Sequence, residues 1–428
     1  MKVKYLYSAC IEIDCDGFRI LTDPWFSQGA YDGSWFHYHK IDPFEHIDKP
    51  DIIYISHIHP DHYDPIFLKK IIEKYGDIPI IIPDLDQNYL LFKGKSDGLN
   101  LIPTRHLENP KVEIHIEENN TGSMSDIDSA LLVHDKKNNK TLLNLNDCIF
   151  NQNHVDTINN IISTKNYSID LLALGYTGAG PYPQTYFDPI NQLELLNKEA
   201  NRKRLSFFDR YKKYTETFVA EYNLPFAGEY LLGGKLSELN HYRGVSDAIE
   251  VKDIDEKAII LEVGGVVNLI DKKIDGERFT PYNEEYINER ISEISINKMD
   301  YESEINIQME KINFLRLLKN AAFKANLKSE IGFNYNFIFS IQDIDGIVKK
   351  RFGLETESSK ISIFNPDEEI ILKEYSEIII DYRYLYGLLT TIYHWNNAEV
   401  GSQFRTIRIP FNNYNASVQD YLNFFTVA

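Results

Sequence analysis

The stretch Ile55-Ser56-His57-Ile58-His59-Pro60-Asp61-His62-Tyr63-Asp64 gathers three histidines and two aspartates into ten residues, directly after the apolar run Asp51 to Ile55. Strand side chains repeat every two residues, so His57 and His59 leave a strand end on one face and can grip a single metal ion. Asp61 and His62 fall in the turn that follows and can face a second ion, giving the pattern H-x-H-x-D-H. Imidazole suits zinc and iron, and a carboxylate favours the harder transition metals. The bland alternative, a polar loop, rarely produces this spacing after a buried strand. A further carboxylate comes from Leu142-Leu143-Asn144-Leu145-Asn146-Asp147-Cys148, where Asp147 ends an apolar run and can bridge two ions. Asp23, ending the strand in Ile20-Leu21-Thr22-Asp23-Pro24-Trp25-Phe26, can orient the histidine loop by hydrogen bonds. Such a centre lowers the pKa of bound water and polarises a carbonyl or phosphoryl oxygen, with Asp61 doubling as proton acceptor.

These residues need rigid elements behind them. The first half alternates short apolar runs with amphipathic segments, as expected of stacked strands with helices outside. Strands are expected at 18–21, 51–55, 78–82, 112–116, 130–134, 141–145 and 169–174. Phe67, Leu68, Ile71, Ile72 and Tyr75 recur at helical spacing, with Asp64 as N-cap and Gly76 as C-cap. Residues 191–222 read as one long helix carrying a basic stretch, which is either a solvated face or an anion-facing patch. After His241-Tyr242-Arg243-Gly244 the dense histidine and aspartate punctuation stops, so a boundary is placed near residue 250. Residues 285–328 then read as helical, 335–341 and 361–364 as strands, and 370–393 as mixed.

The 428-residue chain is 43% hydrophobic and carries a formal charge of -19. Its length favours two domains, and its charge argues against nucleic-acid binding, which runs on clustered Lys and Arg. Cys10, Cys15 and Cys148 form no CxxC pair, so neither a disulfide framework nor a thiolate zinc site is suggested and a cytoplasmic location fits. No run approaches a membrane span, and the N-terminus lacks the apolar centre of a signal peptide.

The H-x-H-x-D-H motif, followed by a later aspartate, resembles the metallo-beta-lactamase superfamily. More narrowly, TDPWF, DIIYISHIHPDHYDPIFLKK, DIDSALLVHD, LLNLNDC, YTGAGPYPQTY and LPFAGEY are similar, in order, to the catalytic region of the CMP-N-acetylneuraminate hydroxylase family. The resemblance implies an α/β fold, the metallo-beta-lactamase αββα sandwich, and the change of pattern near residue 250 assigns it residues 1–250 and leaves 251–428 as a C-terminal α+β domain packing against it. It implies metal held by His57, His59, Asp61, His62 and Asp147. Where the superfamily supplies its third histidine this chain has none, so Asp126, Asp128 or His106 is open as the replacement, and His241 is the nearest candidate for the last histidine. The hydroxylase family also carries a Rieske iron-sulfur domain, whose paired cysteines and histidines are not found here, so a separate ferredoxin or Rieske protein is the expected electron source for any oxygenation.

The loop Tyr176-Thr177-Gly178-Ala179-Gly180-Pro181-Tyr182-Pro183-Gln184-Thr185-Tyr186 is either a tight turn or, by resemblance, the substrate wall, with Tyr176, Gly178, Gly180, Tyr182, Gln184 and Tyr186 as contacts. Arg202, Lys203 and Arg210 would attract a small anionic substrate if they face the cleft, and His394 would edge the pocket. Three functions follow. The first is a metallo-hydrolase acting on an anionic sugar, nucleotide-sugar or phosphoester with one or two divalent ions, zinc foremost. The second is an iron-dependent oxygenase of a sugar or CMP-sialic-acid-like substrate. The third is a non-catalytic metal-binding sensor.

Overall fold

In the strand Ser129–Asp135 every residue is buried, and alternation decides which core each enters. Leu131 and Val133 point to one cluster, Ala130 and Leu132 to another. The computed structural model, which describes residues 1–122, 127–329, 332–412 and 414–427, accordingly shows two sheets face to face with helices on both outer faces. The first sheet has eight strands in the order Lys273–Glu277, Leu261–Asn268, Lys2–Tyr7, Cys10–Cys15, Phe18–Thr22, Ile52–Tyr54, Ile80–Ile82, Leu101–Pro103. The second has six, in the order Ala220–Phe226, Ile169–Gly175, Lys140–Asn144, Ser129–Asp135, Val112–Glu118, His106–Glu108. Between them lies a core of Val3, Ile11, Ile13 and Ile20 from one side and Ile114, Leu142, Leu171 and Leu224 from the other. This is the expected αββα sandwich.

Helix Pro65–Tyr75 covers the first sheet through Phe67, Leu68 and Ile71. Asp64 caps it by accepting from the Phe67 N–H at 2.9 Å. The same carboxylate accepts from the backbone N–H groups of Phe26 and Ser27, so the cap also fixes the loop after Asp23. Helices Gln152–Lys165 and Leu193–Thr217 cover the second sheet with Val155, Ile158, Tyr211 and Tyr214.

Three expectations change. The long helix stops at Thr217, and Ala220 to Tyr222 belong to a strand parallel to Ile169–Gly175. Residues 285–328 form two helices, Glu284–Ile294 and Phe314–Lys328, separated by short 3-10 turns. The boundary near 250 falls too early, because Leu261–Asn268 pairs antiparallel with Lys2–Tyr7 and carries Lys273–Glu277 as the edge strand of the first sheet.

The C-terminal part is built on a five-stranded sheet, Lys360–Phe364, Val348–Glu355, Asn336–Gln342, Tyr375–Asp381 and Arg405–Ile409, packed with helices Phe314–Lys328 and Tyr382–Leu389. Its core is continuous with Trp25, Tyr31, Trp35 and Tyr230 of the sandwich. Among the described residues no helix is long and apolar enough to cross a membrane, and Cys10, Cys15 and Cys148 are buried and unbridged.

Candidate metal centre

Parallel neighbours release their following loops at the same sheet edge, which is why ligands gather at the carboxyl ends of strands. Phe18–Thr22 and Ile52–Tyr54 are such a pair, and they bring Asp23 beside Ser56. Lys140–Asn144, Ile169–Gly175 and Ala220–Phe226 are parallel in turn and deliver the loops carrying Asp147, Thr177 and Gly228. Ser129 ties the sheets together there: its hydroxyl donates to the Ser56 carbonyl at 2.9 Å and lies 2.7 Å from the Tyr54 hydroxyl. That bond sets Asp128 next to the histidine loop.

Asp23 is fully buried and accepts from the Ser56 N–H at 2.7 Å and the Ser56 hydroxyl at 2.8 Å. It also lies 3.1 Å from His62 Nδ1, which turns His62 Nε2 toward the cluster. That Nε2 is buried without a hydrogen-bond partner, while Asp61 and Asp147 carboxylate oxygens stand 3.6 and 3.7 Å from it. Ligand atoms of His57, His62 and Asp147 all lie within 4.8 Å of one another. His57 Nε2 and His59 Nδ1 face each other at 2.8 Å. Asp128 Oδ1 is 3.7 Å from His57 Nδ1 and likewise buried without a partner.

Burial penalises a charged His62, but Asp61, Asp147 and Asp23 outweigh it and raise its pKa. Burial, then His62 and His59, hold His57 neutral. Burial and the nearby Asp147 push Asp128 up to about 6. Buried carboxylates and imidazoles converging on unfilled valences fit a divalent cation, which would supply the missing partner to His62 Nε2 and offset the negative charge.

Two contacts were not legible beforehand. The Tyr31 hydroxyl donates to Asp61 Oδ1 at 2.5 Å, fixing that carboxylate. From the C-terminal part, Asn396 Oδ1 meets His59 Nε2 at 2.8 Å. The second lies two residues from His394, which the sequence places at the pocket edge. An outer partner of a ligand imidazole is worth about 10–100-fold in metal affinity, so Asn396→Ala is expected to weaken metal binding by about 10-fold, read by competition with a chelator.

The remaining candidates separate. The cleft beside the cluster, about 150 Å³, is lined by Asp61, Asp147, Gly178 and Arg210, with Trp35 and Tyr230 stacked at 3.5 Å along one wall. Gly178 is required there, since a Cβ would sit 2.0 Å from the Phe207 ring on which Arg210 lies. His106 does not swing in: it pairs across strands with His115, and both imidazoles contact Glu113, whose carboxylate also holds Lys165. His241 is exposed in the 3-10 helix Gly234–Tyr242, on the wall of a different cavity. Asp126 lies outside the described residues.

The proposed substrate loop is spent largely on docking. Tyr182 donates to Glu199, which also binds Arg202 at 2.6 Å, so neither residue lines the cleft. Gln184 donates to the Gly180 carbonyl and to Ser402, and Tyr186 meets Arg408, so this segment fastens the C-terminal part. Tyr176 is buried behind the cleft. Lys203 is buried and donates to the Arg243 carbonyl. His394 caps helix Trp395–Val400, with burial and then His59 lowering its pKa.

Residues 2–142 match the Beta-lactamase superfamily domain. The chain is 28% identical, over 57% of its length and 47% of the relative's, to a putative Rieske 2Fe-2S iron-sulfur protein of Mycolicibacterium smegmatis. It is 29% identical, over 35% of its length and 26% of the relative's, to the cytidine monophosphate-N-acetylneuraminic acid hydroxylase of Xenopus laevis. It thus spans less than half the length of these curated relatives. Among solved structures it is similar to CmlA, a diiron beta-hydroxylase from Streptomyces venezuelae, with a TM-score of 0.40 and 14% identity over 61% of this chain and 53% of that one.

Proposed function

From a chain that carries a metallo-beta-lactamase-superfamily domain similar to CMP-N-acetylneuraminate hydroxylases, we propose a metal-dependent oxygenase that hydroxylates a small, anionic, hydroxyl-rich molecule. The observation that carries this is Asp128, a carboxylate standing 3.7 Å from His57 on the segment where the superfamily supplies a histidine. Exchanging imidazole for carboxylate hardens the donor set and favours iron over zinc. His57, His59, Asp61, His62, Asp128 and Asp147 would hold one or two such ions, which supply Lewis-acid and oxygen-activating chemistry when bound.

The protein's own groups do the rest. Arg210 is the one cation among the described residues lining the cleft and receives the substrate's negative charge. The stacked Trp35 and Tyr230 rings offer an apolar face to a sugar-like ring. Tyr31 keeps Asp61 oriented to take a proton at its second oxygen. The balance is a C–H bond converted to C–OH and one atom of dioxygen to water, with two electrons and two protons from an external reductant of the ferredoxin or Rieske class.

Hydrolysis of an anionic ester is the second reading. It is favoured by Asp61 itself, a cleft-lining carboxylate held ready as proton acceptor within the same small space as Arg210. Protein purified anaerobically distinguishes the two. Bound iron, with oxygen consumption that depends on reduced ferredoxin and disappears in Asp128→Ala, supports the oxygenase. Bound zinc, with turnover on phosphoester or lactone panels and no reductant requirement, overturns it in favour of hydrolysis.

A further inference from the structure

Behind the metal cleft lies a larger cavity of about 660 Å³, bounded by helix Leu193–Thr217, the segment 240–247 and helix Glu284–Ile294. Tyr176 and Glu229 line it, and Thr177 and Gly228 line the cleft, so the two spaces share a wall. Ordinary ligand sites have volumes of about 300–1,000 Å³.

Glu229, Asp247 and Glu284 line it together with Arg204 and Arg243, and their pairing is uneven. Asp247 takes a paired contact from Arg278. Arg204 pairs with Glu250 at 2.6 Å. Glu229 accepts from Tyr282 at 2.7 Å and Tyr5 at 3.3 Å, and burial pushes it up to about 6. Arg243 has no such match. It is 3% exposed, yet among the described residues no carboxylate lies within ion-pair distance of it. One N–H goes to the Tyr230 carbonyl at 2.8 Å, the Tyr38 and Tyr230 hydroxyls contact the guanidinium, and its plane lies over the Tyr230 ring, but Nε is buried without an acceptor. Ser246, 4% exposed and also lining the cavity, has a hydroxyl without a partner. A second buried cation, Lys203, sits against Arg243 and repels it.

Buried charges persist in proteins when they are paired, and a guanidinium without a carboxylate partner and an unused hydroxyl on the walls of one cavity suit an oxyanion. We propose that this cavity binds the phosphate or carboxylate group of a small molecule, with Arg243 Nε and Ser246 Oγ as donors. The site is separate from the metal cleft and independent of which reaction occurs there. Asn201 and His241 at its walls give the rest of such a ligand hydrogen-bonding partners, and this is where His241, expected as a metal ligand, finds a use.

Equilibrium dialysis of the full chain against labelled inorganic phosphate, and separately against labelled acetate, tests this and tells the two anion sources apart. Saturable binding of either is expected. A charge-assisted hydrogen bond is worth about 1.5–3 kcal/mol, or about 10–100-fold, so Arg243→Gln should weaken binding at least 10-fold. Ser246→Ala should weaken it several-fold and, carrying no structural contact, covers the case in which Arg243→Gln fails to fold. Asp147→Ala should leave it unchanged. Absence of saturable binding for both anions overturns the proposal, as does binding lost in Asp147→Ala and retained in Ser246→Ala.

Discussion

Asp147→Ala is expected to leave the purified protein with less than about a tenth of the wild-type transition-metal content, and to abolish turnover whichever chemistry the centre performs. The reasoning is geometric: Asp147 is the carboxylate that closes the three-residue set with His57 and His62, and it arrives on a loop from the opposite sheet, so no neighbour on its own strand can replace it. Asp23→Ala should give a graded result. Among the described residues the Asp23 carboxylate hydrogen-bonds Ser56 and His62; losing it loosens the orientation of the His62 ring, for which about 10–100-fold in metal affinity is the usual loss. His241→Ala supplies the contrast, since His241 lies on the wall of a different cavity. Elemental analysis of the three variants checks the set. Full metal content in Asp147→Ala, or a loss in His241→Ala equal to that in Asp147→Ala, would remove the assignment of the centre.

How much of this was legible in the sequence depended on distance along the chain. The helix Pro65–Tyr75 was read with both caps because the signals, Asp64 and Gly76, are local. Seven of the fourteen strands of the sandwich are legible as apolar runs, with ends displaced by one or two residues, whereas Lys2–Tyr7, Cys10–Cys15, Leu101–Pro103, His106–Glu108, Ala220–Phe226, Leu261–Asn268 and Lys273–Glu277 are not. The long helix overran because Val219 and Tyr222 continue helical spacing, while the parallel neighbour that recruits them, Ile169–Gly175, is a tertiary partner. The boundary near 250 failed for the same reason: Leu261–Asn268 carries two glycines that blur its alternation, and it pairs with the first strand of the chain. In the site, His57, His59, Asp61 and His62 form one word of sequence and were visible as such. Asn396, 337 residues from the histidine it meets, was not. His241 was chosen for being next in line, and proximity in the chain put it one wall away from the metal.

Lys203→Met should stabilise the protein at neutral pH, and by an amount that shrinks as the pH rises. Lys203 is 8% exposed, and burial, then the Arg243 guanidinium, lower its pKa from 10.5 to about 7. On the same helix face Glu199, one turn earlier, is engaged by Tyr182 and Arg202, and among the described residues no carboxylate lies within ion-pair distance of the ammonium. Between pH 7 and 10.5 the unfolded chain therefore binds a proton at this position that the folded chain has released. Stability rises with pH wherever the unfolded state binds more protons, by about 1.4 kcal/mol per pH unit for one proton. The contribution is complete above 10.5 and lost as the pH falls through 7, so the full penalty of the buried cation is felt at and below neutrality. Methionine has a similar volume and no charge to bury. Its cost is the hydrogen bond to the Arg243 carbonyl, about 1 kcal/mol, against a penalty on the order of several kcal/mol. Urea midpoints of wild type and Lys203→Met at pH 7, 8 and 9 would show the variant ahead at pH 7 and the gap narrowing upward. Parallel profiles, or a variant less stable than wild type at pH 7, would mean that the ammonium is held by a counterion in solution and that the helix face beside Arg243 is not a site of uncompensated charge.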